Sequence, residues 1–199
     1  MRSHCTPVLF LAALFLAVAL PVSAQSNPSA VQGAWPVIVG GGLSRFNMDF
    51  PAVSSSNMEG PTLWVDWVHV PFTPRQLGLH AEWRKLNLNP PSAAPQLRST
   101  TFAGGPTYTW TFSRLAVYGK GEIGYGSMDF PPFGSGYSHD SRTIWAAGGG
   151  AEYRVWNSVW ARADYEYQWW PNLFIQGGVH PNGVTFSVGY DLRTLHRNY

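Results

Sequence analysis

From Val159 to Trp169 polar and apolar residues alternate without a break. Val159, Ala161, Ala163, Tyr165, Tyr167 and Trp169 form one set, and Trp160, Arg162, Asp164, Glu166 and Gln168 the other. Only an extended strand keeps two such sets on opposite faces, because a period of 3.6 would mix them. The pattern recurs over Leu115–Tyr125, where Leu115, Val117, Ile123 and Tyr125 oppose Tyr118, Lys120 and Glu122, and over Val184–Arg193, where Asp191 and Arg193 lie opposite Phe186, Tyr190 and Leu192. Thr143–Val155 sets Trp145, Ala147, Tyr153 and Val155 against Glu152 and Arg154; Leu77–Lys85 sets Leu79, Ala81 and Trp83 against His80, Glu82 and Arg84. Three weaker segments, Trp35–Asn47, Leu63–Val70 (with Asp66 opposite Leu63, Val65 and Trp67) and Arg98–Phe112, bring the predicted strands to eight. Pro106 removes a ladder donor from the last of these, so a local break is expected there.

Composition narrows what such strands can build. Charged residues are 12 % of the chain, about half the usual share, while 10 Trp, 9 Tyr and 11 Phe are present. A disordered chain carries more charge and fewer rings, and the 21 Gly and 16 Pro disfavour a helical bundle. A net charge of +2 with no basic run offers no footprint for nucleic acid. One Cys excludes a disulfide framework and a Cys-based zinc site.

Residues 1–24 read as a cleaved signal peptide. Arg2 is the positive start, Val8 to Leu20 is an uncharged run of 13 residues, and Val22-Ser23-Ala24 ends in small residues before Gln25. Thirteen residues are too short for a spanning helix, which needs ~20; an uncleaved anchor is the alternative. Cys5 precedes the apolar run, so cleavage after Ala24 removes it. No later uncharged stretch is long enough for a transmembrane helix.

The expected connections alternate in length. Met48–Pro61, Asn87–Leu97, Met128–Arg142 and Trp170–Gly183 are long, and Pro71–Gln76, Ser113–Arg114 and Trp156–Ser158 are short. Successive strands are therefore antiparallel, with the long loops at one end. A soluble barrel shares this order; the two readings differ in which face is apolar. One face carries Glu82, Arg84, Lys120, Glu122, Glu152, Arg154, Arg162, Asp164, Glu166, Asp191 and Arg193, nearly balanced in sign, which suits an interior charge network. The other carries rings that gather toward strand ends and turns: Trp35, Phe72, Trp83, Phe112, Tyr125, Tyr153, Trp156, Trp169 and Trp170. A soluble barrel has no use for such girdles, whereas a bilayer-spanning one does.

With these features the chain resembles the eight-stranded outer-membrane protein A-like, opacity-type β-barrels of bacteria. The resemblance runs from about Gln32 to Arg193. It implies an all-β, antiparallel, up-and-down transmembrane barrel over 35–193, after a short linker at 25–34. Residues 194–199 form a short tail or the end of the last strand, since the family ends on a terminal aromatic and here the chain runs on to Tyr199. It also implies the bacterial outer membrane as location, with outer-membrane lipid, lipopolysaccharide and the barrel-assembly machinery as partners. Eight strands leave an interior that side chains can fill, so the expected role is structural or surface-interacting, without catalysis. The alternatives are a narrow ion channel and, behind it, a lipid A-modifying enzyme.

No catalytic motif stands out. His139, Ser141 and Glu152 superficially resemble the His/Ser/Glu set of lipid A deacylases, but Arg142 follows Ser141 and the segment sits beside Gly134-Ser135-Gly136, so it reads as a solvated loop. His69, His80, His139, His180 and His196 show no ligand spacing, so no metal or other cofactor is expected. His80 reads as a satisfied interior residue.

Overall fold

A computed structural model of the chain describes residues 37–49, 56–68, 75–88, 97–130, 138–173 and 178–192. Eight strands make up the architecture: β1 (Val37–Met48), β2 (Ser56–Val68), β3 (Arg75–Leu88), β4 (Arg98–Phe112), β5 (Leu115–Phe130), β6 (Ser138–Arg154), β7 (Val159–Trp169) and β8 (Asn182–Asp191). Each pairs antiparallel with its sequence neighbours, and β1 pairs with β8 to close the barrel. Closure leaves no unpaired sheet edge, the condition for a sheet to span lipid. The expected fold is therefore the observed one, with β4 and β7 at their expected limits. The signal segment, Trp35, Phe72, Arg193 and the tail lie outside the described residues.

The register fixes the stagger. From His139 the pairing runs through Asp129, Arg98, Asn87, Glu59, Arg45, Val184 and Tyr165 and returns to β6 at Gly149, ten residues further along. A shear of this size on eight strands tilts them by roughly 35–45° and leaves a bore that side chains fill.

Most strands run further into the expected loops than the alternation indicated. The first connection shrinks to residues 49–55 and the second is 69–74, so these two are almost equal in length. The others are 89–97, 113–114, 131–137, 155–158 and 170–181. The last continues the ladder, with Trp170 N donating to Val179 O at 3.0 Å and Val179 N to Trp170 O at 3.1 Å. The tight turn at 113–114 places Ser113 at φ 56°. Pro106 pairs with Leu79 of β3 but has no partner on β5, where the ladder skips from Gly104 to Thr107 without changing register. Pro61 does the same between β1 and β3. Each ring thus costs one side of the ladder only.

Burial alternates with the pleat. Along β7 and β8 every second residue is buried and every other one exposed. The exposed set is Val, Ala, Phe, Tyr and Trp, and the buried set holds the charges. This inverts the arrangement of a soluble protein and matches a barrel solvated by lipid.

Candidate functional site

The site is the lumen, and it is built in two layers. In the ionic layer, Arg84 is anchored to Glu166 by two hydrogen bonds, Nη1 to Oε1 at 3.0 Å and Nη2 to Oε2 at 3.3 Å. Its Nη2 also lies 2.7 Å from Glu82 Oε1, its Nε donates to Ser44 and Thr62, and its guanidinium lies 4.2 Å from the Phe46 ring centre. Lys120 Nζ sits 2.6 Å from Glu166, 2.9 Å from Glu82 and 3.1 Å from Glu122. The glycines at 148 and 150 leave room for this cluster: a Cβ at Gly148 would lie 3.3 Å from Lys120 Cε.

A third cation, Arg162, stands beside the first group. Its Nη1 lies 2.7 Å from Asp66 and 3.3 Å from Glu152, its Nε donates to the Tyr118 hydroxyl at 2.6 Å, and its guanidinium lies 4.4 Å from the Trp64 ring centre. The Trp64 indole fits because Gly40 and Gly189 flank it; a Cβ at either would come within 2.3–2.6 Å of the ring. Asp66 and His80 tie the two groups together: His80 Nδ1 is 2.5 Å from Asp66 Oδ1, and Nε2 is 3.4 Å from Glu82 Oε2. Taking these groups out of water is costly unless each is paired. The side chains of Arg84, Lys120 and Glu122 are fully buried, and each lies in an ion pair.

The second layer is apolar and lies at the long-connection end. Phe46, Met48, Met58, Leu86, Leu97, Met128, Ile144, Trp170, Leu173 and Val179 form one buried cluster across the bore. Trp170 joins the layers, donating from Nε1 to Gln168 Oε1 at 2.8 Å, while Gln168 donates to Glu166 at 2.7 Å. A Cβ at Gly126 would lie 2.4 Å from the Trp170 ring, so glycine there makes the seat for the indole.

Eight of the eleven charges expected in the lumen come together here: Glu82, Arg84, Lys120, Glu122, Glu152, Arg162, Asp164 and Glu166. Asp191 is buried on the same face near the end of β8, in register with Ile38. Arg154 is a correction: it is exposed at the short-connection end and lies 5.6 Å from the Trp160 ring centre, because β6 ends there and the bore opens to solvent. Of the two acids expected beside Arg162, Glu152 is directly opposite it in register. The acid nearest Arg162 is Asp66, a polar-face residue of β2 that lies outside the expected network.

Among the expected interfacial aromatics, Trp83 points outward and Phe112, Tyr125, Tyr153, Trp156 and Trp169 are exposed on the outer surface. Trp170 is the second correction. It continues the inward series Glu166, Gln168 and is fully buried in the apolar layer. Phe102, Trp145 and Phe186 also face outward, away from the strand ends.

His139 and Ser141 lie on β6 rather than in a loop. They face outward, where His139 Nδ1 lies 2.6 Å from Asp129 and the Ser141 hydroxyl takes a hydrogen bond from Tyr125. Glu152 is in the lumen, on the opposite face of the same strand, so the three are not assembled for catalysis. The structure does bring together a potential ligand set that the spacing of the histidines did not reveal. One atom each from His80, Glu82 and Glu122 lie within 4.8 Å of one another. The pair His80-x-Glu82, two residues apart on one strand face, was its visible part.

Residues 10–191 match the outer membrane protein beta-barrel domain. The chain belongs to this outer-membrane barrel family. No curated protein sequence matches it. The barrel is similar to Neisserial surface protein A, with TM-score 0.65 and 13 % identity over 80 % of this chain and 99 % of that one. It is also similar to Ail, the attachment invasion locus protein of Yersinia pestis, with TM-score 0.59 and 16 % identity over 77 % of this chain and 96 % of that one. At such identities the likeness is one of fold.

Proposed function

We propose that this outer-membrane barrel is a non-conducting structural or surface-interaction protein of the bacterial outer membrane. Its long connections face outward, and its termini and short turns lie in the periplasm. The observation that carries the reading is the apolar layer across the long-connection end of the lumen, backed by the ion-paired layer beneath it. Water and ions crossing the bore would have to pass between Phe46, Met58, Met128 and Trp170, each at most 1 % exposed. Charged side chains already paired with one another also offer no free path of hydration. The exposed aromatic and aliphatic belt suits contact with outer-membrane lipid and lipopolysaccharide. The signal-like residues 1–24 fit export before insertion by the barrel-assembly machinery. The structural relative Ail is an attachment and invasion protein by name, which accords with loops that make surface contacts here.

Planar-bilayer recording of the purified protein tests this reading: the expected result is a silent bilayer. Steady, reproducible steps of current would instead favour a narrow channel, a reading for which the acid-rich ionic layer speaks. An absence of lipid A hydrolysis by the same preparation is expected as well.

A further inference from the structure

Among the described residues, six carboxylates take part in the ionic layer: Asp66, Glu82, Glu122, Glu152, Asp164 and Glu166. They face three permanent cations, Arg84, Lys120 and Arg162. A buried layer with that excess of negative charge calls for more positive charge. The place where it is missing can be identified. His80 is buried, and its Nδ1 lies 2.5 Å from Asp66 Oδ1, so Nδ1 carries a proton directed at that carboxylate. The other ring nitrogen, Nε2, then faces two carboxylate oxygens, Glu82 Oε2 at 3.4 Å and Glu122 Oε1 at 3.6 Å. A bare nitrogen lone pair against two carboxylates is repulsive. Either a second proton or a metal ion must lie between them.

The distances favour the metal. A charged N–H donor approaches a carboxylate to about 2.7–2.9 Å, whereas the Glu82 contact is a long hydrogen bond at 3.4 Å and the Glu122 contact, at 3.6 Å, is not a hydrogen bond. Both separations match instead the edge between two ligands of a tetrahedral zinc ion, roughly 3.4 Å for bonds of about 2.0–2.1 Å. Glu122 supplies the independent sign: its side chain is fully buried, and neither of its oxygens accepts a hydrogen bond. Lys120 lies 3.1 Å from Oε2, which leaves Oε1 turned to His80. Glu82 Oε2 is shared with Lys120 at 2.9 Å, within the capacity of a carboxylate oxygen. Asp66 behind His80 completes the carboxylate–histidine–metal arrangement that sets the tautomer and raises the basicity of the ligating nitrogen.

We propose that His80 Nε2, Glu82 and Glu122 form a binding site for a divalent transition-metal ion of the zinc class inside the barrel, with Asp66 as the positioning residue. The ion has three protein ligands and a fourth position for water, and it offsets most of the acid excess. It also bridges β3 to β5 over the intervening β4, two strands that are not neighbours in the sheet.

The test uses the untagged protein purified from membranes in detergent and stripped with a chelator. Titration with Co2+ should give the visible absorption of a tetrahedral nitrogen and oxygen site, saturating at about one equivalent, and Zn2+ should abolish it. Glu122→Gln, which keeps the shape of the side chain, and His80→Gln should each remove the absorption. Asp66→Asn should weaken Co2+ binding by about 10–100-fold without removing it. His139→Ala should leave the titration unchanged, since His139 is on the outer surface with Asp129. If His80→Gln fails to fold, Glu122→Gln decides alone. An absence of Co2+ absorption in the parent protein overturns the proposal, as does absorption that persists in Glu122→Gln. So do nitrogen NMR signals showing both His80 ring nitrogens still protonated in excess Zn2+.

Discussion

The two layers of the lumen are lined by the same inward pleats of the same strands, yet they are held together by opposite means. On β3, Leu86 belongs to the apolar layer and Arg84, two residues away, to the ionic one; on β7 and beyond, Trp170 and Glu166 make the same contrast. In the apolar layer each side chain gains by leaving water, and a truncation costs what it leaves empty. In the ionic layer each charge is tolerable only because its partners are present, so the penalty for a change depends on what remains behind. The apolar layer closes the bore by packing and the ionic layer by mutual neutralisation. A ligand or ion has reason to enter only the second.

This contrast predicts a ranking of effects, read by urea unfolding of the protein inserted in lipid vesicles. Arg84→Met should cost the most, about 3–5 kcal/mol, because Glu166 and Glu82 are left buried with Lys120 as their one remaining cation. Ile144→Ala, in the apolar layer, should cost about 2–5 kcal/mol and should not depend on salt. On the outer face, Ala163→Arg should cost about 2–4 kcal/mol if the residue lies near the bilayer midplane. The smallest effect belongs to the outward pair Arg45–Glu59, 3.4 Å apart and well exposed. Arg45→Ala should change stability by at most about 1 kcal/mol, and less in high salt. A large loss from Arg45→Ala, or none from Ile144→Ala, would break the ranking at its two ends.

Much of the barrel could be read from period two alone, because β7 and β8 carry charge on one face and rings on the other. The apolar layer could not. Near the long-connection end the polarity of the pleat inverts: Phe46, Met48, Met58 and Met128 are buried, while Asn47, Asn57 and Asp129 beside them lie on the outer face, so these stretches read as loops from the sequence. Trp170 differs: it cannot share the girdle with its neighbour Trp169, since alternation carries the inward series Glu166 and Gln168 on to Trp170, and the bridge to Val179 extends that alternation past the end of β7. Asp66 and His80 were visible as polar-face residues, but their roles arise from closure. Asp66 on β2 meets Arg162 on β7 only because β1 pairs with β8. Glu122 comes beside His80 by a shorter route, because β3 and β5 both pair with β4 and Gly105 stands between the two residues; no spacing along the chain encodes it.

The central claim, that the ionic layer is a packed network rather than a wet channel, rests most directly on Arg84 and Glu166, whose side chains are 0 % and 1 % exposed. A double-mutant cycle with Arg84→Met and Glu166→Gln, read as unfolding free energy in lipid vesicles, tests it. A packed network predicts that Arg84→Met alone destabilises the barrel more than the double variant does, with a coupling of about 1–3 kcal/mol. Strictly additive costs would mean that water screens the pair, and would contradict the account.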